Sequence, residues 1–582
     1  MITDKKHVQQ IAEVLYYGRI SDIVISPGSR NSPLIRMFCG DGNFKCYSVV
    51  DERSAAYFAL GLALYQNRPV AIVCSSGTAA LNYAPALAEA YYQRVPLIAI
   101  TADRPPWLID NNENQCIRQS RIFQDFTCAE ITLPIHETPR ELRHAFVKLN
   151  ELVSCVWAMQ QPAHINVPLE EPLNGAIDAC LYLRKGSCIP VIPNHSAYDR
   201  KYDQTDWNLP EDYRVMFIIG QNNWAYNSSG HITLRRLQKD GAVIVAEHLA
   251  NMTDKDFITV PDIMMSAIMK APEDFRPHLL FTTDGQVVSK ALKKFLCDYP
   301  PRHHIHIGNG RNYYDSFGVL QQVIPTGVWN YLCSGCHISW VGTSGHDAPR
   351  FEWQQRWLAL QTKAVTHLRK AVKKMSFCDM TVFPELEKVI NGDTFIHLGN
   401  SMPVRYALMW PRLKHCTYLC NRGVSGIDGS LSTAVGFAAN CVSTCIADSY
   451  SDFDDSGNNV AVIGDLSFFY DSNALWNSHV NPELCIILIN NGGGNIFSII
   501  GAQKPDVGNF MYAGHSLNAE GIAKTFGLEY FSASNKEELT ENLDSIFSQF
   551  FGRPVLLEVF TDAAINTMNW TVLQRELDTI IP

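Results

Sequence analysis

The sequence lacks any apolar run approaching the ~20 residues that a bilayer span requires. It also lacks a secretory leader: the opening MITDKKHVQQIAEVLYYG reads as an amphipathic helix, with no apolar h-region and no small-residue cleavage site. Positive charge is in deficit. A net charge of -10 disfavours generic binding to nucleic acid or acidic membranes, so an anionic substrate must meet a local cationic pocket. Charged residues are sparse at 18% while hydrophobic ones reach 46%, which excludes a disordered chain and implies large cores. These absences lead to the expectation of a cytoplasmic globular protein whose 17 cysteines are reduced thiols, most of them small core residues.

What is present is a long α/β pattern. At 582 residues, and roughly 150 per domain, three or four domains are expected. Short Val- and Ile-rich runs alternate with helix-length amphipathic segments, as in parallel sheets covered by helices on both faces. The runs are Val70–Cys74, Leu97–Thr101, Val215–Ile219, Val243–Ala246, Val460–Ile463 and Leu484–Ile489. An internal repeat organises them. DERSAAYFALGLA, PVAIVCSSGTAALNYAPALAEA and VPLIAITADR in the first third parallel GIDGSLSTAVGFAA, NVAVIGDLSFFYDSNALWN and ELCIILINNGGG in the last. Val70 pairs with Val460 and Ile100 with Ile489, at offsets of 390 and 389. Two copies of one α/β domain are therefore expected to flank a third segment. The polar stretch Pro190–Pro210 reads as a linker, and a second boundary is expected near Ser376, after a charged helix from Gln354 to Lys374. The expected domains are 1–188, 189–375 and 376–582.

Two metal-like patterns carry little. Cys333-Ser-Gly-Cys336-His337 has the C-x-x-C-H form of haem attachment, but that chemistry belongs to exported proteins, and so short a pattern recurs by accident. In Arg302-His303-His304-Ile305-His306, alternation puts His304 and His306 on one strand face. No further ligand stands nearby, and a polar strand face is expected.

The last third holds a stronger signal. The strand Ala461–Ile463 runs into Gly464-Asp465-Leu466-Ser467, and the next ends in Asn490-Asn491-Gly492-Gly493-Gly494-Asn495. Ligands sit at strand ends of parallel sheets, where loops converge beside helix N-termini. Asp465 offers a carboxylate, Asn491 a side-chain carbonyl and Gly493 a backbone carbonyl. Three hard oxygens on one side, completed by diphosphate and water, suit Mg²⁺ at about 2.0–2.1 Å; Mn²⁺ accepts the same set. Singly, each turn reads as structural; the pair, 26 residues apart on neighbouring strands, favours a ligand.

Gly-Asp followed by Asn-Asn at this spacing resembles the diphosphate motif of thiamine-diphosphate enzymes, which pair a pyrimidine-binding domain with a homologous diphosphate-binding domain. Leu466 departs from that motif, which commonly has glycine there. The resemblance implies thiamine diphosphate as cofactor, with Asp465, Leu466, Ser467, Asn491 and Gly493 around its diphosphate. It also implies Glu52 as the carboxylate that activates the aminopyrimidine, and Ile427, within Asn421-Arg-Gly-Val-Ser-Gly-Ile-Asp428, as the apolar wedge that keeps the cofactor bent. Asp51 reads as a helix cap. In such enzymes domains of two subunits face each other, so a homodimer is implied, and the family makes a homotetramer the expected assembly.

Longer stretches resemble one family, the 2-succinyl-5-enolpyruvyl-6-hydroxy-3-cyclohexene-1-carboxylate synthases of menaquinone biosynthesis. They are ISPGSRNSPLI from Ile25, DERSAAYFALG from Asp51, SSGTA from Ser75, TADRPPWLID from Thr101, NQCIRQ from Asn114, GNSMPVR from Gly399, NRGVSGIDG from Asn421, GDLS from Gly464 and NNGGGNIFS from Asn490. The middle segment matches weakly. The resemblance implies decarboxylation of 2-oxoglutarate and addition of the succinyl-semialdehyde carbanion equivalent to isochorismate. Both substrates are dicarboxylates, and burying unpaired carboxylates costs several kcal/mol each, so several cations are required, preferably Arg forks. The matching motifs supply Arg30, Arg104, Arg405 and Arg422, with Ser29, Asn114, Gln115 and Ser401 beside them; Lys290 is a middle-segment candidate, and Ile496 and Phe497 are candidate walls. The rivals are another thiamine-dependent decarboxylase or carboligase, such as an acetohydroxyacid-synthase relative, and a catalytically silent cofactor-binding relative.

Overall fold

The computed structural model describes every residue except 179–205, 223–227, 253, 309–313, 335, 342–347, 442–457 and 500–509. Most of the expected linker at 190–210 therefore lies outside the described residues. Among the described residues no helix is long and apolar enough to cross a membrane.

Three large sheets are built from buried aliphatic strands. The first uses Asp22–Ile25, Lys45–Ser48, Val70–Cys74, Leu97–Asp103, Ala129–Thr132 and Ala163–Pro168. Numbered within the sheet, their spatial order is 2-1-3-4-6-5, and every pairing is parallel. Thr394–Leu398, Cys416–Cys420, Asn458–Gly464, Leu484–Asn490, Glu529–Ala533 and Val555–Phe560 form another six-stranded sheet in the same order. Between these two in sequence lies a five-stranded parallel sheet of Val215–Ile219, Val243–Ala246, Leu279–Thr283, His303–Ile307 and Leu320–Ile324. The shared order extends the sequence repeat to the whole sheet.

The chain divides into two compact units. One holds residues 1–195, 421–451 and 467–484, and the other 196–420, 452–466 and 485–582. In the first, the helix Glu52–Gln66 begins where the Asp51 carboxylate accepts the Ser54 N–H at 3.1 Å, and it ends at Asn67 in a left-handed turn. It is buried on all sides from Ser54 to Tyr65, because it packs on the repeat's other copy, Ser430–Ala438. Gly61 and Gly436 make this possible. A Cβ on Gly61 would lie 2.1 Å from the Thr433 carbonyl oxygen, and one on Gly436 2.0 Å from that of Phe58.

In the second unit, the helix Pro349–Lys374 starts five residues before the expected Gln354. Pro349 occupies the first helical turn, where a missing N–H costs nothing, so it opens the helix rather than bounding it. His304 and His306 both hydrogen-bond the Thr282 hydroxyl, at 2.9 and 3.0 Å, as a polar strand face requires. Cys336 is buried in the core while Cys333 is exposed, and the described cysteines are all free thiols.

Candidate active site

Two strand ends of the third sheet create an oxygen-lined turn. Asp465, 3% exposed, follows the strand Asn458–Gly464 and opens the helix Asp465–Tyr470. Its Oδ1 accepts the Leu466 N–H at 2.6 Å and its Oδ2 the Gly493 N–H at 2.9 Å. The His515 Nε2 lies 3.3 Å from Oδ2. Burial raises the Asp465 pKa, against the pull of the Leu466 N–H, His515 and the Gly493 N–H. Asn491 follows the neighbouring strand. Its Nδ2 donates to Asp379 Oδ2 at 2.8 Å, while its buried Oδ1 has no hydrogen-bond partner among the described residues. Gly493 has φ +154, and a Cβ there would fall 2.7 Å from the Tyr512 ring, so only glycine fits. Its carbonyl accepts from the Asn495 N–H at 3.0 Å. A pinned carboxylate, an orphaned buried carbonyl and a close-packed glycine fit a hard divalent cation.

In the first unit Glu52 is the first residue of its helix and half-buried. Desolvation raises its pKa, the helix N–H lowers it, and Asp51 adds a smaller upward push. Asp51 caps the helix and also accepts from Asn473 at 2.7 Å. Ile427 is only partly buried, so it is not one more core isoleucine, and its carbonyl accepts the Ser467 hydroxyl at 2.7 Å.

The cationic residues fall into groups. Arg30, 5% exposed, bonds the Leu169 carbonyl at 3.1 Å and pairs with Glu171 at 3.1 Å. Burial lowers its pKa, and the positive charge of Arg104 lowers it further. The buried Arg104 Nε has no hydrogen-bond partner among the described residues. Ser29 is exposed, beside the turn where Gly28 closes on Ser75. Asn114 and Gln115 are exposed too, with the Gln115 backbone 3.2 Å from the Cβ position of Gly77. In the second unit Arg405 bonds the Ser401 carbonyl and acts electrostatically on Asp262, which accepts the Ser289 hydroxyl. Lys290 follows Ser289 and is exposed. Ile496 and Phe497 are half-buried in the short helix after the Asn491 turn.

Comparison with known proteins agrees with both ends of the chain. Residues 5–122 match the family described as thiamine pyrophosphate enzyme, N-terminal TPP binding domain, and residues 399–559 the corresponding C-terminal TPP binding domain. Over 573 residues the chain is 35% identical to the 2-succinyl-5-enolpyruvyl-6-hydroxy-3-cyclohexene-1-carboxylate synthase of Flavobacterium johnsoniae, covering 95% of each. Against the synthase of the same name from Bacteroides thetaiotaomicron, identity is 34% over 575 residues and 97% of each chain. The chain belongs to the 2-succinyl-5-enolpyruvyl-6-hydroxy-3-cyclohexene-1-carboxylate synthase family. As in that family, its two outer domains bind thiamine diphosphate.

Two residues of this synthase-family chain escape sequence reasoning. Glu89, fully buried in the helix Ala84–Gln93, accepts the Gly423 and Val424 N–H groups, at 2.5 and 2.7 Å. It thereby clasps the loop that carries Arg422 and Ile427. Asp379, which holds Asn491, opens a short turn well before the motif it supports. Neither belongs to a stretch read as part of the site, although Glu89 lies within the repeat; a lone acid in an apolar segment is the only signal either offers.

Proposed function

We propose that the chain decarboxylates 2-oxoglutarate on thiamine diphosphate and joins the remaining four-carbon acyl unit to isochorismate. The products are 2-succinyl-5-enolpyruvyl-6-hydroxy-3-cyclohexene-1-carboxylate and CO₂. The observation that carries this reading is similarity to relatives bearing that synthase's name over 95–97% of the chain. When bound, the coenzyme would supply a carbon nucleophile for the 2-oxo group and a cationic ring able to take up the electron pair left by CO₂.

The residues divide the remaining work. Glu52 would exchange a proton with the aminopyrimidine nitrogen, a task favoured by burial that raises the carboxyl's pKa. Asp465, Asn491 Oδ1 and the Gly493 carbonyl would hold Mg²⁺ or Mn²⁺ against the diphosphate, with Leu466 and Ser467 beside it; Ile427 would pack against the coenzyme. Arg30 and Arg104, with Ser29, Asn114 and Gln115, form one carboxylate grip. Arg405, Ser401 and Lys290 form another, with Arg422 completing the cationic set, while Ile496 and Phe497 wall the carbon skeletons and help exclude water.

Residues 1–188 would be the pyrimidine-binding domain, 189–375 the middle domain and 376–582 the diphosphate-binding domain; each large sheet is drawn from one of these stretches. A cytoplasmic homodimer, paired into a homotetramer, is the working assembly. Supplying 2-oxoglutarate and isochorismate with Mg²⁺ and thiamine diphosphate should release CO₂ and consume isochorismate together. Turnover of pyruvate but not of 2-oxoglutarate would overturn the reading.

A further inference from the structure

We infer that Asp379 is a positioning residue for the cation site, turning the Asn491 amide so that Oδ1 rather than Nδ2 faces the ion. The two ends of a side-chain amide are nearly isosteric, yet only the oxygen can ligate a hard cation. Something must therefore choose between two orientations half a turn apart. Asp379, 1% exposed, is held so that it can make that choice. The Asn566 Oδ1 accepts the Asp379 N–H at 2.9 Å, and its Nδ2 donates to Asp379 Oδ1 at 2.8 Å. The Thr561 hydroxyl donates to the same oxygen.

With Oδ1 occupied by two donors, Oδ2 is left for Asn491 Nδ2, at 2.8 Å. Burial raises the Asp379 pKa, but three donors, from Thr561, Asn566 and Asn491, pull it down and set its oxygens as acceptors, so the amide offers them N–H. Reversing Asn491 would set carbonyl oxygen against carboxylate oxygen in a buried site, which is unfavourable on both sides. The buried, unpartnered Asn491 Oδ1 is the other half of the same device: it is aimed where no protein donor among the described residues meets it. Partners of this kind, behind the direct ligands, typically contribute 10–100-fold to metal affinity.

The inference rests on Asn491 being a cation ligand, and the experiment separates the two claims. Mn²⁺ would be titrated into metal-free protein with thiamine diphosphate present and followed by electron paramagnetic resonance. Wild type is expected to bind. Asp379→Asn is expected to bind about 10–100-fold more weakly, because its new N–H draws the Asn491 carbonyl inward. The double variant Asp379→Asn with Asn491→Asp, which exchanges amide and carboxylate, is expected to recover to within a few-fold of wild type. Thermal unfolding of the three metal-free proteins is expected to coincide within a few degrees. Unaltered Mn²⁺ binding by Asp379→Asn would overturn the inference alone. So would failure of the double variant to recover, since a merely structural role predicts that. Absence of Mn²⁺ binding by wild type would overturn the cation site itself.

Discussion

The first and third sheets share the strand order 2-1-3-4-6-5, but the residues that follow their strands differ in kind. After the first four strands of the first sheet come Ser29-Arg30, Asp51-Glu52, Ser75-Ser76 and Arg104. At the same places in the third sheet stand Asn400-Ser401, Asn421-Arg422, Asp465 and Asn491. One copy thus offers an acid at a helix start and two arginines; the other offers arginines too, but adds the carboxylate and amide oxygens of Asp465 and Asn491. A duplicated scaffold fixes where loops converge, and the loop residues then decide the chemistry.

The contrast can be broken by substitution. The largest effect is expected for Glu52→Gln, which should slow exchange of the C2 proton of bound thiamine diphosphate by about 10²–10⁴-fold while leaving Mn²⁺ uptake intact. Proton exchange followed by nuclear magnetic resonance would check this, and wild-type rates would refute the assignment. Asp465→Ala should do the converse, weakening Mn²⁺-dependent coenzyme uptake by roughly 100-fold, as calorimetry would report. If both variants failed in the same assay to the same degree, the two copies would not have the separate tasks assigned to them.

A smaller effect is expected where the copies meet. Gly61→Ala should destabilise by about 1–3 kcal/mol, as an overpacked core does, measured by urea unfolding. Gly392→Ala, with open space around its Cβ, should be close to neutral.

The smallest effect separates the two compact units by acid. Burial lowers His248 to about 3 and His278, His304 and His397 to about 4 in the second unit; in the first, His164 is lowered to about 3. A neutral buried imidazole stabilises the fold above the unfolded pKa near 6.5, and that contribution is lost as pH falls toward the folded value. Burial lowers His479 of the first unit too, so four such groups stand against two, and limited proteolysis near pH 5 should cut between 206 and 420 before it cuts between 1 and 178. Earlier cleavage of the N-terminal stretch would contradict this.

Much of this was legible in the residues. Val70–Cys74 and Val215–Ile219 are strands as read, because a Val- and Ile-rich run between turns has little other stable use in an α/β chain. The placement of Asp465 and Asn491 was legible because Gly-Asp and Asn-Asn-Gly each end a buried aliphatic run, and the structure sets both residues at the ends of adjacent strands. Glu89 and Asp379 were not. Their partners lie 334 and 112 residues away in sequence, so no local pattern marks them. The start of the Pro349 helix was missed for a local reason: proline breaks a helix anywhere but its first turn, and position within the turn cannot be read before the start is known.

The backbone contact between Gly61 and Gly436 has an implication for inheritance. Each residue leaves no room for a side chain on itself because the other helix's main chain fills the space, so no side-chain change at one position can relieve a substitution at the other. Randomising both codons together and selecting for folded protein should return glycine at each. The two copies of the fold are thus held to glycine at their point of contact, whatever their loops carry.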